Sequence, residues 1–368
     1  MVTLATYVHD WSPFLVQLGD GFGLRWYGLA YALGFLIAYQ VMKRLSRAGF
    51  TPIPEQRVAD AMLMLIAGVI VGGRVGYVLI YEPKLLAEFS SSFPFWGALA
   101  LNKGGMAYHG GMVGVMLAGW WVSRGFKDEQ GLRSGACPWR HVMDLLALAC
   151  TAGLGLGRLA NFVNGELLGK VVAQPGQPAP WWAVKFPQEL VSGHMDVTRN
   201  AEQAAALDKL LMTYAPEQAT WDGAVFRVIE LLQHGGETGR RISQGLEPLI
   251  SARHPSQLYQ AFFEGVLVTA VLWFVARRPR LPGVIGCWFL ISYGLLRIAA
   301  EFFRLPDTQF ANGRPLGLSR GQWLSAAMVG AGGLVLAWVV NRGGEKMGGW
   351  CKGGARGEVN PRATGGPG

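Results

Sequence analysis

The run GRLANFVNGELLG, residues 157–169, carries the side chains of this chain that are best suited to chemistry. It supplies one cation, two amides and one carboxylate, which belong to Arg158, Asn161, Asn164 and Glu166. The preceding residues 142–157 contain no charge except Asp144. This pattern predicts a membrane helix that delivers its polar end to the membrane surface. The alternative is a polar helix end that is wetted by lipid headgroups.

A second polar group lies in the run SYGLLRIAAEFFRLPD. Its members are spaced by four, four and three residues and are Tyr293, Arg297, Glu301 and Arg304. Helical periodicity places such residues along one face. Charged residues at membrane depth are costly and usually face a site or a cavity, which favours a functional interpretation. The alternative is a pair of intrahelical ion pairs, Arg297 with Glu301 and Glu301 with Arg304, that seal the helix against its neighbours.

A single histidine, His109, lies between two glycine pairs in the run GGMAYHGG. The glycines permit the close approach of a substrate or of a neighbouring helix. An imidazole can accept a proton near neutral pH, so His109 is a candidate catalytic residue. The alternative is a hydrogen-bonded packing residue.

Metal and nucleotide chemistry is not indicated. The four cysteines show no CxxC spacing and the six histidines form no HExxH pair, so we predict no metal site, no cofactor and no disulfide framework. Gly153, Gly155 and Gly157 lie inside an apolar run, where close helix packing is the expected role of glycine.

The composition extends the membrane interpretation to the whole chain. Of the 368 residues, 51% are hydrophobic and 15% charged, and the mean hydropathy is +0.25. These values predict an all-α polytopic membrane protein, and seven apolar windows of about 20 residues predict about seven transmembrane helices with a small external insert. The predicted spans are residues 24–42, 58–81, 104–123, 141–162, 257–276, 281–303 and 321–340.

The positions of the basic residues predict the orientation. They follow spans one, three and five, at Lys43, Arg44, Arg47, Arg57, Arg124, Lys127, Arg133, Arg140, Arg277, Arg278 and Arg280. These ends are expected to be cytoplasmic, which places the N-terminus and the insert outside and the C-terminus inside. The net charge of +9 then follows largely from topology, and no nucleic-acid partner is needed.

The predicted organisation has four parts. Residues 1–169 hold helices one to four, 170–252 form the insert, 253–342 hold helices five to seven, and 343–368 form a Gly-rich cytoplasmic tail that is expected to be disordered.

The predicted depth of the polar residues is similar on several spans. At about 1.5 Å per residue, Arg74, Arg158 and Arg297 lie roughly 24 to 26 Å from the cytoplasmic ends of their helices. His109 and Tyr27 lie near the outer ends of theirs. The sequence therefore predicts one site in the outer leaflet, near the lipid phosphates.

Five motifs in this order resemble those of bacterial prolipoprotein diacylglyceryl transferases. They are WYG at 26–28, HGG at 109–111, GRLANFVNGELLG at 157–169, RHPSQLYQ at 253–260 and RIAAEFFRLPD at 297–307. Compared with the usual pattern, Ala160 replaces a common glycine, and the insert after Gly169 is longer than usual.

The resemblance implies a seven-span enzyme of the bacterial inner membrane. Its activity would be to move the diacylglyceryl group of phosphatidylglycerol to the lipobox cysteine of a prolipoprotein, with release of glycerol phosphate. The implied partners are phosphatidylglycerol, prolipoprotein lipobox peptides and the lipid bilayer. The candidate catalytic residues are His109, Arg158, Arg297 and Tyr293, and the candidate substrate-binding residues are Tyr27, Arg74, Asn161, Asn164, Glu166, Gly169, Glu301 and Arg304.

Two other classes of function are considered. A transporter or channel for a small anion would also use buried arginines at one depth, but its site is expected near the midplane. A non-catalytic assembly protein would not require His109, Arg158 and Arg297 to converge.

Overall fold

The computed structural model describes residues 6–19, 22–91, 94–100, 104–192, 196–305 and 318–350. The described part is mostly helical. Five stretches of helix in it are long and apolar enough to cross a membrane, namely Glu55–Ile80, Trp139–Asn164, Ser256–Val275, Val284–Glu301 and Arg320–Arg342. Five of the seven predicted spans therefore have a helix of the required length and composition.

The other two predicted spans are also helical but fit a membrane span less well. Helix α1, Trp26–Arg47, begins with Trp26 and Tyr27 and carries further polar side chains. Helix α3, Tyr108–Ser123, has only 16 residues, fewer than the roughly 17 to 25 of a typical span. It begins at Tyr108 instead of the predicted residue 104, because Gly104 and Gly105 have φ values of +81° and +84°, outside the helical region.

The chain forms two compact units. Unit 1 comprises Met1–Met42, Leu145–Leu272 and Gly286–Ala337, and unit 2 comprises Lys43–Asp144, Trp273–Ile285 and Trp338–Gly368.

Unit 2 is organised by the pairing of α2, Val58–Ile80, with α3. A Cβ on Gly110 would lie 2.3 Å from the carbonyl oxygen of Gly72, and a Cβ on Gly114 would lie 2.0 Å from that of Gly68. Side chains at these positions would clash with the backbone, so the glycines allow the two helices to approach closely. The glycine after His109 therefore serves helix packing.

Residues 343–350 begin the tail that the composition predicts to be disordered. In unit 2, Met347 exchanges backbone hydrogen bonds with Arg280, and Trp350 stacks on Phe50 and packs against Trp273. Residues 347–350 are therefore packed, whereas 343–346 are exposed, and the prediction for 351–368 falls outside the described residues.

Glycines also set the helix contacts of unit 1, which contains most of α4, Trp139–Asn164. Gly153 packs on Gly34 of α1, where a Cβ on Gly34 would lie 3.2 Å from the Gly153 Cα, and a Cβ on Gly155 would lie 3.0 Å from the Gly265 Cα. The packing role predicted for these two residues is confirmed, whereas Gly157 has open space at its Cβ position.

The fifth predicted span has an unusual centre. It consists of α8, Ser256–Gln260, a π-helical segment, Ala261–Leu267, and α9, Val268–Val275. The remaining helices of the apolar part are α10, Val284–Glu301, and α11, Arg320–Arg342.

The insert is a small helical subdomain with its own apolar core. It contains α5, Ala201–Tyr214, α6, Trp221–Gln233, and α7, Gly236–Leu246. Asn200 and Gln203 form a capping box at the start of α5. The core residues are Leu207, Leu211, Val225, Val228, Ile242, Leu246 and Ile250, with Val8 from the N-terminal segment.

Short strands, which the all-α prediction omitted, connect these parts. Strands β1, Phe14–Gly19, and β2, Phe22–Arg25, form a hairpin before α1, and β3, Phe126–Lys127, pairs with β4, Arg133–Ser134. Strands β5, Val171–Ala173, and β6, Val184–Lys185, both pair with β7, Ala252–Arg253. The chain therefore enters and leaves the insert through one three-stranded sheet.

Candidate active site

Residues 165–170, called here the polar loop, follow α4. This loop, the start of α1 and the end of α4 bring together four of the predicted site residues. Gly165, with φ of +65°, turns the chain after the last helical residue. The Tyr27 hydroxyl donates to Glu166 Oε2 at 2.6 Å. The Asn161 amide donates to the Tyr27 oxygen and, at 3.3 Å, to Glu166, and the Asn164 amide donates to Glu166 at 3.3 Å. The carboxylate of Glu166 is therefore held by three donors, while its residue stays exposed.

The backbone of this polar loop is fixed by side chains of the RHPSQ motif. Ser256 donates to the carbonyl of Leu167 at 2.9 Å, and Gln257 donates to the carbonyl of Glu166. Leu167 has φ of +55°, a left-handed conformation that is costly for a leucine and that tends to occur where function requires it. The two hydrogen bonds keep the loop in this conformation.

Gly169 lies where two backbone segments cross. A Cβ at this position would lie only 2.0 Å from the carbonyl oxygen of His254, so any other residue would displace the backbone. Gly169 also pairs with Arg304 in an isolated antiparallel bridge, and the Lys170 amide donates to the Phe303 carbonyl at 2.9 Å. The candidate substrate-binding role of Gly169 is thus accompanied by a definite structural one.

Arg253 ties the same region to the insert. Its side chain is fully buried and bonds to Glu189 at 2.8 Å, to Asp196 at 2.9 and 3.1 Å, and to the carbonyl of Gly169 at 3.1 Å. Burial alone would lower the pKa of the Arg253 guanidinium, but the hydrogen bond with Asp196 and the charge of Glu189 raise it above its ordinary value. Arg253 remains charged, and its donors hold the insert against Gly169.

A chain of ion pairs forms the second part of the site. Arg158 Nε lies 2.8 Å from Glu264 Oε2, and Arg297 Nε lies 3.8 Å from Glu264 Oε1. Arg297 also pairs with Glu301, which lies 3.9 Å from Arg304. The five side chains therefore alternate in charge as Arg158, Glu264, Arg297, Glu301 and Arg304, a set called here the arginine cluster.

The arginine cluster is largely but not wholly enclosed. The side chain of Arg158 is 21% exposed and that of Arg297 is 13% exposed, whereas Glu264 is completely buried. Tyr293 lies within hydrogen-bonding reach of Arg158. The cations thus retain the accessible surface, and the carboxylate lies behind them.

The predicted helical ladder is partly correct. Tyr293, Arg297 and Glu301 lie on α10, and the predicted ion pair of Arg297 with Glu301 is present. The helix ends at Glu301, however, so Arg304 lies beyond it, in the bridge with Gly169. Arg304 therefore reaches Glu301 from an extended segment and not from the same helical face.

Arg74, in unit 2, is hydrogen-bonded to the backbone of the residues that precede α3. Four of its N–H groups donate to the carbonyls of Gly97, Ala98, Gly104 and Gly105 at 2.7 to 2.9 Å. A guanidinium has five such donors, so little capacity remains for a lipid phosphate. Arg74 therefore holds the segment that precedes α3, and its substrate-binding role stays a prediction.

His109 is the second residue of α3, in unit 2, and is exposed. Its ring meets the edge of the Tyr108 ring, with centroids 5.6 Å apart. The Ala107 amide donates to the Gly73 carbonyl at 2.9 Å, which fixes the start of α3 beside Arg74. The imidazole is therefore presented from a well-anchored helix end.

The sequence matches a known protein family over most of its length. The family described as prolipoprotein diacylglyceryl transferase matches residues 13–338. The chain belongs to this family. The match spans the insert as well as the motif-bearing helices, so the family relationship extends over the part that the five motifs left uncovered.

Individual relatives give the same result. The phosphatidylglycerol–prolipoprotein diacylglyceryl transferase of Bdellovibrio bacteriovorus is 36% identical over 360 residues, which cover 94% of this chain and 97% of that protein. Proteins of the same name from Burkholderia thailandensis and Burkholderia mallei are each 34% identical over 343 residues, covering 91% of this chain and 97% of each relative. As members of one transferase family, these chains are similar over nearly their whole length.

Glu264 is the member of the arginine cluster that the sequence does not single out. It is the only charged residue in the predicted span 257–276. An isolated carboxylate in an apolar run is by itself a sign of function, because a buried charge needs a partner. Its partners lie 106 and 33 residues away, on other helices.

Proposed function

We propose that the polar loop and the arginine cluster form the active site of a diacylglyceryl transferase that uses phosphatidylglycerol and prolipoproteins. The observation that carries this proposal is the pair of arginines, Arg158 and Arg297, that contact one buried carboxylate from two different helices. Guanidinium groups bind phosphate through paired N–H donors, and the lipid substrate presents one phosphate.

The charge of the arginine cluster suits this substrate. Three arginines and two glutamates leave one net positive charge. The phosphodiester of phosphatidylglycerol carries one negative charge, so the bound lipid would neutralise the cluster. A buried charge that is fully balanced in this way avoids much of the cost of desolvation.

The reaction is a substitution at a glyceryl carbon of the lipid. The cysteine sulfur forms a C–S bond to that carbon while the C–O bond to the phosphate breaks, the thiol proton passes to a base, and glycerol phosphate leaves. Arg158 and Arg297 stabilise the negative charge that grows on the departing phosphate. Arg304 assists at the edge of the cluster, and Glu301 orients Arg297.

The polar loop would bind the remaining polar atoms of the substrates. Tyr27, Asn161, Asn164 and Glu166 already form one hydrogen-bonded group, and the exposed Glu166 carboxylate can accept further hydrogen bonds. Glycerol hydroxyls of the lipid headgroup are suitable donors. Tyr293 would support Arg158 from the facing helix.

Two sources of thiolate are compatible with the residues present. A free cysteine has a pKa of about 8.5 and a histidine of about 6.5, so His109 can serve as the base near neutral pH. Alternatively, the arginines lower the thiol pKa by their charge. We assign His109 to the reaction in either of two roles, proton acceptor or lipid-positioning residue.

The proposed setting is the bacterial inner membrane. We propose seven spans, with α1 and α3 crossing in addition to the five helices that meet the length and composition of a span. The four-part organisation proposed from the sequence, with an external insert at 170–252, is retained.

We predict that the N-terminus and the insert lie on the periplasmic side and that Lys127 and the residues after Gly343 lie in the cytoplasm. The physical reason is the excess of basic residues in the loops after spans one, three and five. Reporter fusions at Lys127, within the insert and at the C-terminus test this topology. A periplasmic reporter at Lys127 would contradict it and would remove the outer-leaflet site.

An assay with purified protein tests the function itself. We expect the protein to convert a lipobox peptide and phosphatidylglycerol into a diacylglyceryl thioether and glycerol phosphate, seen as a defined gain in peptide mass. The control peptide has serine in place of the lipobox cysteine and gains no mass. Anion movement across vesicles without thioether formation would support the transporter instead, and the absence of both activities would support an assembly role.

A further inference from the structure

Glu264 is a fully buried carboxylate that contacts two arginines of the proposed active site. We propose that it is a positioning residue that fixes the two guanidinium groups and also limits their total charge, so that the site binds the singly charged lipid and releases the more highly charged product. This inference rests on the proposed function, because it concerns the same phosphate.

The contacts show how one side chain positions two others. Glu264 Oε2 accepts a hydrogen bond from Arg158 Nε at 2.8 Å, and Oε1 lies 3.8 Å from Arg297 Nε, an ion pair without a hydrogen bond. Glu264 therefore does not occupy the terminal nitrogens through which a guanidinium presents its fork to a phosphate. The carboxylate holds the inner side of both arginines.

The local backbone explains why Glu264 reaches both partners. It lies in the middle of the π-helical segment, and π-helical turns are rare and frequently occur at functional sites. The next residue, Gly265, packs on Gly155 of α4, where an added Cβ would lie 2.7 Å from the Gly155 Cα. Arg158 follows Gly155 by about one turn, so this close contact brings its guanidinium to the Glu264 carboxylate.

The charge of Glu264 has a consequence for product release. The substrate is a phosphodiester with one negative charge, whereas glycerol phosphate is a monoester whose second pKa is about 6, so that most of it carries two charges at pH 7. The ionised Glu264 carboxylate repels both anions. Because the Coulomb energy is proportional to the product of the two charges, it weakens the binding of the doubly charged product about twice as much as that of the singly charged substrate.

Glu264→Gln tests this inference in the full-length protein. We expect the inhibition constant of glycerol phosphate to fall about 10-fold or more, and the KM for phosphatidylglycerol to stay the same or fall. We expect kcat to fall about 10-fold because product release becomes slow. Inorganic phosphate, a second doubly charged probe, should also inhibit more strongly.

Glu264→Asp and Glu247→Gln are the matched variants. The aspartate keeps the charge but draws the carboxylate back by one methylene, so product inhibition should stay within about threefold of the parent while kcat falls about 10-fold. Glu247, on the insert, pairs with Lys185 at 2.6 Å, away from the cluster, and its glutamine variant should leave both quantities unchanged.

Each of three results would contradict a different part of the proposal. Unchanged or weaker inhibition by glycerol phosphate in a folded Glu264→Gln protein would overturn the charge role. Full activity of Glu264→Asp would overturn the positioning role, and this variant decides the matter if the glutamine variant does not fold. If the parent protein itself does not convert phosphatidylglycerol, the proposed function fails before any variant is measured.

Discussion

Arg297→Lys is expected to lower the rate of diacylglyceryl transfer by about 10²- to 10³-fold, the range found when one preorganised charge-stabilising donor is removed from an active site. Arg158→Lys is expected to have a similar effect. Lysine keeps the positive charge but has no planar fork. In the structure, both arginines also use Nε to reach Glu264, and a lysine has no equivalent second nitrogen.

The competing account is that these arginines only balance Glu264 and Glu301. It expects lysine variants with a reduced melting temperature and a nearly normal turnover per folded molecule. Melting temperature and turnover should therefore be measured on the same preparations. Arg240→Lys is a suitable control, because Arg240 forms an exposed ion pair with Glu237 on the insert. Full specific activity in both lysine variants would remove the proposed phosphate clamp.

His109→Gln is expected to lower turnover by about 10²-fold or more, as the loss of a general acid–base catalyst or of a lipid-positioning group would. The protein should remain folded and inserted, because His109 is exposed and the packing at the start of α3 is made by its neighbours. Turnover is measured as thioether formation per folded molecule. His234→Gln provides a histidine control at the end of α6 of the insert.

The pH dependence of the His109→Gln variant distinguishes the two roles. If His109 accepts the thiol proton, the variant should regain rate as the pH rises towards the thiol pKa of about 8.5, because the thiolate then forms without a base. If His109 positions the lipid, the loss should be the same at every pH. Activity within a few-fold of the parent would instead show that the reaction does not need His109.

The sequence predicts those features that depend on local spacing. Apolar runs locate the helices that carry the site, and the four-residue separation of Arg297 and Glu301 predicts their ion pair. Helix ends are less accurate where special backbone conformations decide them. Gly104 and Gly105 delay the start of α3, and α10 ends at Glu301, before Arg304.

Features that depend on contacts between distant segments are not predictable in the same way. The partners of Glu264 lie on two other helices, and helical periodicity contains no information on which faces meet. Arg74 shows the same limit. Its depth suggested a ligand, but backbone carbonyls of the segment before α3 take up its donors. Only the folded loop reveals that these carbonyls are available.

The sheet through which the chain enters and leaves the insert also bears on how this region can change in length. Val171 and Arg253 are direct partners in it, and paired residues of adjacent antiparallel strands have Cα atoms about 4.5 to 5.5 Å apart. The chain between them is therefore a loop that is already closed, and lengthening such a loop costs little, about 0.6 kcal/mol for each doubling. Extra residues such as a tag or a binding module can therefore be added within this segment at low cost, provided that β6 and the two partners of Arg253, Glu189 and Asp196, are kept.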